Sequence, residues 1–252
     1  MKRRSCIHGA ALVAVIVSAA ANAGAQDLGT NRRAELNANI SFGNASQSTV
    51  VTRLAIARAD SALELKADGS FTYGEATVNG VTSLSRRSWL GTLTADRQPF
   101  ARLSPFLLAT VESSFETRIR RRYAGGAGAK YRITTSDAGR SDVSLAILAE
   151  RSVLDTAAGL SRTNNTARLS GRYRYERKFS DKLKMTHVTF VKPEFAYLSH
   201  LTATTRTSGV YQMGAKIGLQ LSFFDAYHSE ARSRGARSAN DGEILLGLAA
   251  EF

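Results

Sequence analysis

From Ala34 to Phe252 the chain alternates, and the alternation restarts after a turn about every 20 residues. At the close, Ile244, Leu246, Leu248, Ala250 and Phe252 share one face, while Glu243, Leu245, Gly247, Ala249 and Glu251 share the other. A strand has period two, so this one carries an almost wholly apolar face. Near the start, Ala34, Leu36, Ala38, Ile40 and Phe42 oppose Glu35, Asn37, Asn39 and Ser41, and Gly43-Asn44 supplies a turn. Leu63, Leu65, Ala67, Gly69, Phe71 and Tyr73 oppose Glu64, Lys66, Asp68, Ser70 and Thr72. The clearest segment sets Ala167, Leu169, Gly171, Tyr173 and Tyr175 against Arg168, Ser170, Arg172, Arg174 and Glu176.

About 12 such segments fit the chain. They run longer than the 5–6 residues usual in soluble sheets and nearer the 9–11 of a membrane-spanning strand. Their apolar face is rich in Ala, Gly and Tyr, which suits lipid contact better than a packed core. A soluble sandwich also alternates, but it would carry fewer charges on its polar face. The expected fold is therefore all-β: a transmembrane, antiparallel, up-and-down β-barrel, its even strand count placing both termini on the periplasmic side. Pro99 and Pro105 are expected in a connection running from Asp96 to Pro105, and Pro193 near the end of its strand.

The first 25 residues read as a cleaved signal peptide. Lys2, Arg3 and Arg4 precede an apolar run from Ala10 to Ala20, and Ala23-Gly24-Ala25 offers a cleavage site. That leaves residues 26–252 as one barrel domain without cysteine, since Cys6 is the only one. The formal charge of +13 falls to +10 without the signal. In an exported chain such an excess points to anionic lipids or solutes. No nucleic-acid motif accompanies it.

On a barrel the polar face becomes a lumen. Glu35, Arg53, Glu64, Lys66, Asp68, Arg122, Lys130, Arg132, Arg168, Arg172, Arg174 and Glu176 are expected to line it, because a charge facing lipid at the midplane costs about 2–4 kcal/mol. Arg86, Arg87, Arg118, Arg120, Arg121, Arg232, Arg234 and Arg237 are expected on the outer rim, where guanidinium groups could pair with lipopolysaccharide phosphates. The opposite turns are expected to carry Asp60, Asp96, Asp137, Asp142 and Asp181. Phe71, Tyr73 and Tyr123, with Phe42 and Phe252, are expected at strand ends as an aromatic girdle. Gly247 and Phe252 belong to a closing strand of the kind the barrel-assembly machinery reads. Gly125-Gly126-Ala127-Gly128 lies on a strand and suggests close backbone approach rather than a phosphate loop.

Catalysis finds no motif. His187, His200 and His228 have no metal-ligand spacing, and there is no G-x-S-x-G. No catalytic residue, metal or cofactor is expected. The pattern leaves the oligomeric state open. An envelope protein, a narrow anion-leaning channel and an outer-membrane hydrolase remain as readings, in that order.

Several stretches together resemble the salt-induced outer membrane protein family, a domain of unknown function. They are Ser41-Phe42-Gly43-Asn44-Ala45, the segment Glu112 to Arg132 with Phe115, Arg118 and Gly125 to Tyr131, then Thr166 to Tyr175, Lys192-Pro193-Glu194 and Asp241 to Phe252. The chain departs at Ala250, where an aromatic is common, and at Leu245, where a polar residue is. The resemblance implies an outer-membrane barrel linked to salt or osmotic stress, and no functional residues.

Overall fold

The structure is a computed structural model that describes residues 30–41, 45–155, 160–233 and 238–251. Twelve antiparallel strands are joined in sequence and closed into a barrel. They are β1 (Thr30–Ser41), β2 (Ala45–Ala59), β3 (Leu63–Val78), β4 (Val81–Arg97), β5 (Leu103–Ser114), β6 (Ile119–Ser136), β7 (Gly139–Asp155), β8 (Ser161–Lys178), β9 (Leu183–Pro193), β10 (Leu201–Gln212), β11 (Ile217–His228) and β12 (Asn240–Glu251). Among the described residues no helix is long and apolar enough to cross a membrane. The expected signal peptide, Phe42 and Phe252 lie outside the described residues.

Burial is inverted relative to a soluble protein. Leu93, Leu107, Leu145 and Ile244 are each more than 60% exposed, whereas Asn37, Gln220, Ser104, Ser152 and Ser222 are almost completely covered. Water as the surrounding solvent would penalise the exposed leucines, whereas hydrocarbon on the outside removes that penalty and instead penalises polar groups turned outward. The alternation sets it up directly. In β12, Ile244, Leu246 and Leu248 point out, while Leu245 and Ala249 are buried inside. Outward aromatics gather towards both ends of the wall, Tyr131 and Tyr211 near one and Tyr123 and Tyr227 near the other. Phe71 corrects the girdle expectation. It stands halfway along β3, paired with Trp89, because the strand continues to Val78.

Turn chemistry fixes the hairpins. Asn79 and Gly80 join β3 to β4 with φ of 51° and 78°, the two left-handed residues of a tight hairpin. At the other end, Asp60 accepts hydrogen bonds from the backbone N–H groups of Ala62 and Leu63 at 2.7 and 2.8 Å, which hold its carboxyl below the usual carboxylate range. Gly126 and Gly128 sit where β6 runs tight against β7. A Cβ on either would come within 1.9 Å of the Ile147 carbonyl or 2.3 Å of the Leu145 carbonyl. This is the close approach expected of the glycine run.

Several boundaries differ from the expectation. Asp96 belongs to β4 and Asp142 to β7, both buried and inward rather than in turns. Pro105 stands inside β5, paired with Ala129. Its missing N–H is tolerated because the β4 ladder ends at Asp96–Phe106, so Pro105 has no β4 partner. The barrel seam is short: among the described residues β1 meets β12 from Arg33–Glu251 to Ala38–Leu246.

Candidate functional site: a network of charges in the lumen

The register converts alternation into an interior. Each sequence-predicted luminal residue stands at a position alternate to the exposed apolar ones, and the barrel gathers these residues into three groups.

The first group lies on β1, β2, β10 and β11. The Glu35 carboxylate accepts from Arg33 Nε at 2.9 Å, from Gln220 Nε2 at 3.1 Å and from Arg206, with Arg53 Nη1 3.8 Å away. Arg33 also reaches Glu251 at 2.8 Å and Gln220 at 3.3 Å. Arg86 of β4 pairs with Glu243 of β12, four strands round the barrel.

The second group lies on β5 to β9. Arg122 pairs with Glu112 at 2.6 Å and Glu150 at 3.2 Å, and Arg168 meets the same Glu150 at 3.2 Å. Lys192 adds an ammonium 5.3 Å from the Phe190 ring. It has no carboxylate within salt-bridge distance among the described residues.

The third group fills the end that bears both termini. Lys130 pairs with Asp96, Arg172 with Asp142 at 3.0 Å, and Lys66 with Glu64 at 2.6 Å. Glu176 meets Arg174 at 2.9 Å, Lys184 at 3.0 Å and Arg140 at 3.5 Å. Arg132 donates to the carbonyls of Phe100 and Pro99 at 2.7 and 2.6 Å. Lys66 of β3 and Arg172 and Arg174 of β8 line one small polar pocket, so side chains nearly span the lumen at this level.

The wall from β3 to β8 is built differently. Asp68, Thr92, Thr110, Ala124, Glu150 and Thr166 form one inward layer, small on the four strands β4, β5, β6 and β8 and acidic on β3 and β7. A cavity of about 990 Å³ is bounded by that layer and its neighbours, residues 67–68, 91–93, 109–111, 123–125, 149–151 and 165–167.

The rim expectation is corrected in part. Arg87 and Arg121 are exposed on the outer wall, and Arg232 is exposed beyond β11. Arg86, by contrast, points inward to Glu243. A one-residue step on a strand reverses the face, which separates Arg86 from Arg87. Arg120 is paired with Asp155 at 3.1 Å, and Arg118 occupies the β5–β6 turn with φ of 56°. Arg234, Arg237 and Phe252 lie outside the described residues. Gly247 sits on the seam opposite Asn37.

Glu35 is the best-connected luminal carboxylate, yet composition and spacing give it no prominence. Glu35 was expected in the lumen from its place on the polar face of the opening strand, whereas Arg206 and Lys192 were missed. Their strands carry threonine on both faces, which blurs the alternation that would have marked them.

No curated protein is similar to the chain in sequence. Solved structures of similar fold are outer-membrane barrels. The NanC porin matches with a TM-score of 0.52 at 9% identity, over 86% of this chain and 98% of the porin. An outer-membrane channel of Pseudomonas putida F1 gives 0.48 at 11%, over 90% and 96%. The translocator domain of the autotransporter NalP from Neisseria meningitidis gives 0.48 at 11%, over 97% and 96%. At the level of sequence, residues 34–252 match one family along their whole length, and the chain belongs to that family, described as protein of unknown function DUF481.

Proposed function

We propose that the protein is a non-enzymatic barrel of the outer membrane that acts as a narrow, anion-leaning channel. The observation that carries this reading is the charge balance at the end bearing the termini. There Lys66, Lys130, Arg132, Arg140, Arg172, Arg174 and Lys184 face Glu64, Asp68, Asp96, Asp142 and Glu176, a cationic excess of two. Fixed cations in a low-dielectric tube raise the local anion concentration and repel cations. Reconstituted in a planar bilayer under a salt gradient, the protein should give small unitary steps with an anion-selective reversal potential. Arg172→Glu with Arg174→Glu should move that potential towards cation selectivity. A barrel shown to be folded by its gel shift, yet without conductance, would overturn the reading.

Export through the signal peptide and insertion by the barrel-assembly machinery belong to the same proposal. So does a lipid contact. Arg87, Arg121 and Arg151 are exposed on the outer wall, Tyr123 lying opposite Arg151 and two residues from Arg121, a pairing of guanidinium and aromatic groups that suits lipopolysaccharide phosphates at headgroup depth. The sequence resemblance adds a setting of salt or osmotic stress, in which a headgroup anchor would steady the envelope. A strain carrying Arg87→Glu and Arg121→Glu should lose lipopolysaccharide co-purification and growth in high salt together. Unchanged co-purification would remove the contact.

A further inference from the structure

Glu194, His200 and Glu230 meet at the mouth opposite the termini, brought there by two different loops. Glu194 directly follows β9, His200 directly precedes β10, and Glu230 lies in the loop after β11. One donor atom from each lies within 4.8 Å of the other two. His200 Nδ1 is 3.4 Å from Glu194 Oε2 and 3.7 Å from Glu230 Oε1. Two ligands bound at about 2.0–2.2 Å and set at a tetrahedral angle stand roughly 3.4 Å apart. The two measured separations therefore match edges of a zinc coordination shell.

Charge and burial point the same way. A neutral imidazole can donate Nδ1–H to one carboxylate but not to two. Glu194 is only 7% exposed, and a buried carboxylate requires a cation or hydrogen-bond donors. Arg168 supplies only a loose ion pair, its Nη2 3.8 Å from Glu194 and beyond hydrogen-bond distance. That arginine is engaged elsewhere, with Glu150 at 3.2 Å and with the carbonyls of Lys192 and His200 at 3.3 and 3.2 Å. The main chain of His200 and its ring each have one contact that limits their movement. The Glu194 N–H donates to the His200 carbonyl at 2.9 Å, and the Tyr197 ring lies 5.2 Å from the imidazole at a 36° tilt.

We propose that Glu194, His200 and Glu230 bind a divalent transition-metal cation, best fitted by zinc, which ties the β9–β10 loop to the β11–β12 loop at the barrel mouth. An imidazole ligand favours zinc over calcium or magnesium, which take oxygen ligands. The His200 and Glu230 side chains are 39% and 35% exposed, so the ion can enter from solvent and complete its shell with water. The proposal runs against the expectation of no metal, which rested on sequence spacing. A spacing rule looks for ligands on one segment, and here they come from two.

The test is a zinc titration of the tag-free, full-length barrel in detergent, stripped with chelator and read against a fluorescent zinc competitor. One equivalent should bind. His200→Ala and Glu230→Gln should each weaken binding more than about tenfold. His187→Ala, on the outer wall, should leave it unchanged. All variants should keep the heat-dependent gel shift of a folded barrel. Absence of zinc binding, equal affinity in His200→Ala, or calcium or magnesium binding as tight as zinc would each overturn the site. The channel reading plays no part, since a barrel that conducts nothing can still bind zinc.

Discussion

Gly247→Ala is expected to stop the barrel from closing. Gly247 stands on β12 opposite Asn37 of β1, within the short seam that joins the two ends of the sheet. A Cβ there would lie 2.1 Å from the Leu36 carbonyl oxygen and 2.6 Å from the Asn37 Cα. Both are backbone atoms, so no side chain can swing aside to make room. Overpacking typically costs about 1–3 kcal/mol, and a clash with a paired backbone belongs at or above the top of that range. The seam has few residue pairs to absorb it. An open seam would expose unpaired N–H and C=O groups to hydrocarbon, where each costs several kcal/mol. The folded band on an unboiled gel should fall to a small fraction of the parent's, with the protein recovered as aggregate or degraded. Gly209→Ala is the control, because nothing lies within 4 Å of its Cβ position. Normal levels of folded Gly247→Ala would show that the seam can shift, and that the glycine matters only as part of the closing strand's pattern.

The same seam shows what the sequence reveals and what it hides. The alternation of Ile244, Leu246 and Leu248 against Leu245 and Ala249 could be read before any coordinates, and it assigned the faces of β12 as they stand. It works because lipid and lumen are opposite solvents on the two sides of one strand. Beyond the lipid both sides are wet and the contrast fades. That is why β6 and β8, at 18 residues each, outrun the segments their pattern marked. Contacts across the lumen are hidden for another reason. Glu35 and Arg206 are 171 positions apart, and the stagger of the closed sheet, which no local pattern records, brings them together. Arg86 was placed on the rim because it adjoins Arg87, and parity on the strand separates them. The Glu194, His200 and Glu230 group is the furthest from view, since loops have no period.

Glu35→Gln should cost more stability than any other single charge removal in the lumen. Glu35 is the one carboxylate that Arg33, Arg53 and Arg206 all face, and its side chain is 9% exposed. Glutamine keeps the shape and one acceptor oxygen but removes the charge. Three guanidinium groups would then repel one another around a neutral amide. Breaking a buried pair costs about 3–5 kcal/mol, mainly because the surviving charge stays desolvated. The Arg33 and Arg206 side chains retain 24% and 23% exposure, so water in the lumen relieves part of the penalty and the lower end, about 3 kcal/mol, is expected. The temperature at which the folded gel band disappears should drop well below the parent's. Adding Arg206→Gln should recover part of the loss, because it removes one of the orphaned charges, and a double-mutant cycle isolates that coupling. If the double variant is no more stable than Glu35→Gln, the three arginines do not act as one cluster and Glu35 works through Gln220 instead. Conductance supplies an independent reading of the same change. Removing one negative charge beside three positive ones should push the reversal potential further towards anions, the opposite direction to Arg172→Glu with Arg174→Glu. A channel whose selectivity ignored both changes would have its constriction elsewhere, even if the stability result held.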